Sequence, residues 1–114
     1  MARVPLNETA PVILNGSGNG TAKIGPVSAR EVWSPQNVHV RTSTNADEAT
    51  CLIYVGDSAI QANFRDGTFT GSSGDSSDRV SADTVKVGAH VWAVWSGGDP
   101  GATATVNVTG HKEV

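Results

Sequence analysis

The chain has 114 residues and a formal net charge of −3, a length that fits one domain able to bury roughly two-thirds of its unfolded surface without staples. Its eight Lys and Arg are scattered, which argues against nucleic acid, because phosphate contact needs gathered positive charge. No apolar run nears the roughly 20 residues of a membrane-spanning helix, and the opening MARVPLNETAP is too short and polar for a signal-peptide core.

Residues 1–9 read as an extended N-terminal arm: one proline, mixed polarity and no sustained period. Such an arm is either disordered or laid on a neighbouring subunit, and Arg3, Val4 and Leu6 are its candidate contacts with a partner. Residues 10–114 read as a single β-sandwich domain.

Residues 10–14 (APVIL) predict a short strand, with Pro11 at a position that an edge tolerates. Asn15-Gly16 and Asn19-Gly20 are turn dipeptides, and residues 21–24 resume an extended chain, which suggests a first hairpin. Residues 27–43 read as a longer strand interrupted at Ser34-Pro35, where proline cannot supply a ladder hydrogen bond and a bend or bulge is expected. Val38 and Val40 alternate with His39 and Arg41, an inside–outside signal. Residues 45–48 (NADE) form a polar turn.

Residues 50–55 (TCLIYV) are nearly continuously apolar and predict a central strand covered on both faces. A helical turn fits residues 58–63. Residues 64–83 are of low complexity and read as a long loop holding a short strand at 68–70; loops of that length are usually functional or mobile. Residues 84–87 give another short strand, turned by Gly88.

The chain is expected to assemble on residues 90–110. Val91, Ala93 and Trp95 point one way from an extended backbone, Trp92 and Val94 the other. Ala102, Ala104, Val106 and Val108 alternate with Thr103, Thr105, Asn107 and Thr109, a half-buried strand with a wet face. Between the two runs, Pro100-Gly101 suits the central positions of a type II turn, so this stretch reads as a terminal hairpin. Seven to eight short strands with regular turn signals describe an all-β, antiparallel β-sandwich or jelly roll, with a small closed barrel as second choice.

Aromatics make up only 5% of the chain, so Trp33, Trp92 and Trp95 carry much of its bulk. At least two are expected in the core, and one left on the surface could stack a sugar ring. Cys51 is the only cysteine; it can form no internal disulfide, which fits a reducing cytosol, and it reads as a small buried hydrophobe. His39, His90 and His111 lack ligand spacing for zinc and are expected to face solvent. Asp57, Asp66, Asp75, Asp78 and Asp83 gather around the long loop, a composition that suits calcium but equally a solvated turn, and no metal or cofactor is assigned. No nucleophile motif such as GxSxG and no phosphate-cradling GxxxxGK[ST] occurs, so no catalytic residue is assigned and the chain is expected not to be an enzyme. Four N-x-S/T sequons, at Asn7, Asn15, Asn19 and Asn107, read as chance in an Asn- and Thr-rich chain.

The succession IGPVSAREVWSPQNVHVRTST, TCLIYVGD, FRDGTFTGSSGDSSD and VWAVWSGGDPGATATVNVTG resembles small jelly-roll-like virion structural proteins of tailed bacteriophages of actinobacteria. The resemblance covers about residues 10–110 and is most specific in CLIYVGD, DGTFTG and WSGGDPGATAT. It implies a jelly-roll-like domain on the particle, as a capsid decoration or as a head–tail or tail component, and the first reading is a capsid decoration protein that binds and stabilises the outer surface of the head shell. Its partners would be the major capsid protein or other virion proteins and further copies of itself, a trimer among the options; its place would be the virion, assembled in the host cytoplasm. The alternative is a tail, baseplate or head-fibre component that binds host-surface carbohydrate.

Overall fold

The computed structural model describes residues 2–44, 49–70 and 74–114. Nine strands run through them: β1 (Arg3–Ile13), β2 (Gly20–Ile24), β3 (Val32–Thr42), β4 (Ala49–Gly56), β5 (Phe64–Thr70), β6 (Asp75–Ser77), β7 (Val85–Lys86), β8 (His90–Ser96) and β9 (Thr103–Glu113). Every pairing is antiparallel. Sheet A has the order β1-β9-β3-β6, with β7 also on β3; sheet B has the order β2-β8-β4-β5. The expected antiparallel sandwich is therefore the fold.

Side-chain alternation builds the core. Sheet A contributes Leu6, Trp33, Val38, Val40, Ala104, Val106 and Val108; sheet B contributes Ala22, Cys51, Ile53, Val55, Val91, Ala93 and Trp95. Trp95 is the largest fully buried side chain. Trp33 is also buried, its indole N–H donating to Glu31 Oε1 at 3.1 Å. The expected interruption of β3 is present: the register shifts between Pro35 and Asn37. Gly110 sits opposite, where a Cβ would lie 2.4 Å from the Ser34 carbonyl oxygen, so the bulge requires a glycine across from it.

The expected hairpins are corrected. β8 and β9 lie in different sheets, as do β1 and β2, so residues 97–102 and 14–19 are arches that carry the chain across the core. The turn within the later arch is the expected one, with Ala102 N–H donating to the Asp99 carbonyl at 3.1 Å and Gly101 at φ 81°. The arches are stacked: Leu14 N–H donates to Ala102 O at 2.9 Å and Gly101 N–H to Leu14 O at 3.0 Å. Strand alternation is blind to this choice, because a hairpin and an arch both bury one face of each flanking strand.

The arm is corrected too. Residues 3–9 are the first part of β1, which pairs with β9 from Arg3↔Glu113 to Ile13↔Thr103. Glu8 masks the period of two, standing among the core-facing positions of Val4, Leu6, Ala10 and Val12 while its carboxylate lies 3.9 Å from Lys112 Nζ. Ala2 and Leu14 both hydrogen-bond toward β9 and its flanks, so even-numbered residues of β1 turn their backbone groups that way. Pro5 and Pro11 then face the free edge, where their missing N–H groups deny a ladder to a foreign strand.

Residues 64–83 are less of a loop than expected, supplying β5 to sheet B and β6 to sheet A. Polar side chains tie these two edges across the flank of the sandwich: Ser77 Oγ donates to Asp66 at 2.5 Å, Thr68 to Asp75. Arg65 grips Asp83 in a bidentate pair at 2.8 and 3.0 Å. The expected helical turn is a single 3₁₀ turn at Gln61–Asn63. The polar turn expected at residues 45–48 lies outside the described residues.

Candidate interaction faces

The outer face of sheet B carries a transverse row of large side chains. Lys23 stands opposite Trp92, Trp92 opposite Tyr54, and Tyr54 opposite Phe64, so one residue from each of four strands joins it. At about 4.8 Å between strands the row runs roughly 15 Å. Lys23 Nζ lies 5.4 Å from the centre of the Trp92 ring, within cation–π range. Tyr54 and Phe64 meet edge to face with centroids 5.8 Å apart. His90 adds a second edge contact to Trp92 at 5.7 Å. The indole is held in place by its N–H, which donates to the Gly56 carbonyl at 3.0 Å. The adjacent row, Thr21, Val94, Leu52 and Gly67, extends the apolar surface.

This face was expected in part. Trp92 is opposed to Trp95, as the alternation predicts. The strand 50–55 was expected to be covered on both faces; instead its burial alternates, with Leu52 and Tyr54 only half-buried. No third layer lies over them among the described residues, and neighbouring outer side chains shield one another. Sequence reasoning missed Lys23, Tyr54 and Phe64, because the row exists only through register, and register between distant strands leaves no local signal.

The outer face of sheet A has the opposite chemistry. Thr9 stands opposite Asn107, Asn107 opposite His39, and His39 opposite Ser76. The Asn107 side-chain amide donates to Asn7 Oδ1 at 2.8 Å, Thr9 Oγ1 at 2.9 Å and the Glu8 carbonyl at 3.2 Å. His39 Nδ1 lies 2.8 Å from Ser76 Oγ. In the next row Arg41 faces Thr105. Together His39, Arg41, Thr105 and Asn107 line a shallow depression of about 240 Å³.

The sequence-derived candidates fall elsewhere. Arg3 is exposed and Val4 half-buried on the edge strand, but Leu6 is only 2% exposed in the core of its own chain and has no surface to offer a partner. Cys51 is buried, and loss of hydration pushes its thiol up to about 12, so at neutral pH it is a thiol and not a nucleophile. His90 is half-buried with Nδ1 lacking a hydrogen-bond partner, and burial, followed by the charge of Lys23, holds its pKa below the ordinary value. His111 lies on β9 opposite Ser34. Asp66, Asp75 and Asp83 are engaged in the cross-links already described. Among the described residues no group of three or more His, Cys, Asp or Glu side chains is placed to hold a metal ion. No helix is long and apolar enough to cross a membrane among those residues.

Neither a protein-family model nor a curated protein matches the chain.

Proposed function

We propose that this chain is a non-enzymatic structural protein of a tailed-phage virion, and that it decorates the head shell by laying the outer face of sheet B on the major capsid protein. Two things support the reading: the resemblance carried by CLIYVGD, DGTFTG and WSGGDPGATAT, and the sheet orders β1-β9-β3-β6 and β2-β8-β4-β5, which we read as a jelly roll with β7 added.

The observation that carries the docking surface is the uncovered row Lys23–Trp92–Tyr54–Phe64. Tyr and Trp are enriched among the residues that dominate protein–protein binding energy. The ring geometry also favours a protein over a sugar at this face. A sugar needs a flat aromatic platform, whereas Lys23 sits over the Trp92 ring and His90 meets it edge to face. A patch of this size binds weakly alone, but a symmetric shell repeats it, and avidity replaces individual affinity.

Quantitative mass spectrometry of purified virions tests the reading. A copy number equal to that of the major shell protein, or a simple fraction of it such as a third, supports shell decoration. A few copies per hundred shell subunits favours the tail, baseplate or head-fibre alternative. Absence from the particle overturns the virion assignment. The double variant Trp92→Ser/Tyr54→Ser tests the face itself and is expected to fold yet fail to attach to the shell.

A further inference from the structure

We infer that the depression on the outer face of sheet A is a binding site for a carboxylate-bearing sugar of the uronic-acid type. The inference concerns the sheet opposite the proposed docking face and does not depend on that reading.

The donor set comes first. Arg41 lines the depression, and its guanidinium has no ion-pair partner among the described residues. A guanidinium offers a planar fork of N–H donors that matches a carboxylate. It stands on a chain of net negative charge, so this positive spot is a local feature and not part of a general basic surface. His39, beside it, is held by its contact with Ser76.

The acceptors narrow the ligand. Because the Asn107 amide nitrogen donates to Asn7, Thr9 and the Glu8 carbonyl, its remaining polar atom, Oδ1, is an acceptor. Thr105 Oγ1 both donates and accepts. A bare carboxylate cannot use acceptors. Ring hydroxyls can, and a uronic acid carries both kinds of group on one ring. The volume agrees: about 240 Å³ lies just below the roughly 300–1,000 Å³ of pockets that hold drug-sized ligands, which suits one sugar residue of a longer chain. Rigidity agrees as well, since all four lining residues stand on β3 and β9, neighbouring strands inside sheet A, and positions on strands are held more closely than positions on loops.

The test is an amide chemical-shift titration of the full chain with sodium glucuronate, with glucose and sodium acetate as separate arms. The expected result is a saturable response centred on residues 39–41 and 105–107, with glucose and acetate each binding at least about tenfold more weakly. Arg41→Gln is expected to lower the glucuronate affinity about tenfold or more, the effect of losing one charge-assisted hydrogen bond. Thr105→Val, which keeps a β-branched residue on the strand, is expected to weaken glucuronate while leaving acetate unchanged. No saturable response overturns the proposal, as does a response centred on sheet B. Equal binding of acetate and glucuronate also overturns it, because the site would then recognise any carboxylate, including one on an acidic peptide.

Discussion

Gly18 and Gly98 meet backbone to backbone where the two arches stack. The Gly98 N–H donates to the Gly18 carbonyl at 3.1 Å, and a Cβ built on Gly18 would lie 1.9 Å from the Gly98 carbonyl oxygen. Gly18 also holds φ at +75°, a conformation that costs an L side chain of order 1–3 kcal/mol even in open space. Gly18→Ala is therefore expected to destabilise the fold by at least about 2 kcal/mol. Gly16→Ala, in the same loop with nothing within 4 Å, is expected to be close to neutral. Urea denaturation midpoints of the two variants decide between a required glycine and an incidental one.

The edge strand supplies a second expectation. Leu6 is buried against the core, and truncating such a leucine leaves a cavity as well as losing transfer energy. Leu6→Ala should cost about 2–5 kcal/mol, and deletion of residues 1–9 should expose the flank of β9 and abolish cooperative unfolding. A free arm would give the opposite result, an unchanged thermal transition after the deletion.

Alternation was the legible part of this sequence. Val38 and Val40 against His39 and Arg41, and Trp95 against Trp92, could be assigned to faces because the strand repeat is two. The Pro35 bulge and the Pro100-Gly101 turn were legible because proline and glycine constrain the backbone directly. Partner choice was not. Thr9 and Asn107 are 98 residues apart yet hydrogen-bonded, and nothing local to either residue marks the other. Both interaction faces are built from such pairs, so Trp92 was visible as a lone outward residue while the row it belongs to was not.

His90 gives the fold a pH dependence of definite sign. Burial holds its pKa below the ordinary 6.5, so the unfolded chain takes up a proton first as the pH falls. The contribution of this residue is fully present above pH 6.5 and is lost as the pH drops from there toward the lowered native value. The denaturation midpoint should therefore fall between about pH 7.5 and pH 5, the range in which histidine titrates. His90→Gln should flatten that slope.

The core hides a hydroxyl with no use for its polarity. Thr42 is fully buried, and its Oγ1 has no hydrogen-bond partner among the described residues. An unsatisfied buried polar group costs about 1–3 kcal/mol, and valine has nearly the same shape without it. Thr42→Val should raise stability by about 1 kcal/mol, readable as a higher melting temperature. A lower one would show that the hydroxyl is satisfied in solution.

The strand order also sets when this chain can fold. β9 lies between β1 and β3 in sheet A, and β8 lies between β2 and β4 in sheet B, so in each layer an inner strand is synthesised after both of the strands it joins. Until these two emerge, β1 and β2 have no strand to pair with and β3 has only the short β6 and β7, so neither layer is complete. Non-local pairings of this kind fold slowly and leave strand edges open meanwhile. A ribosome stalled before residue 90 would hold a chain in which only the β4–β5, β3–β6 and β3–β7 pairings can form, and chaperone demand should be concentrated before β8 and β9 emerge.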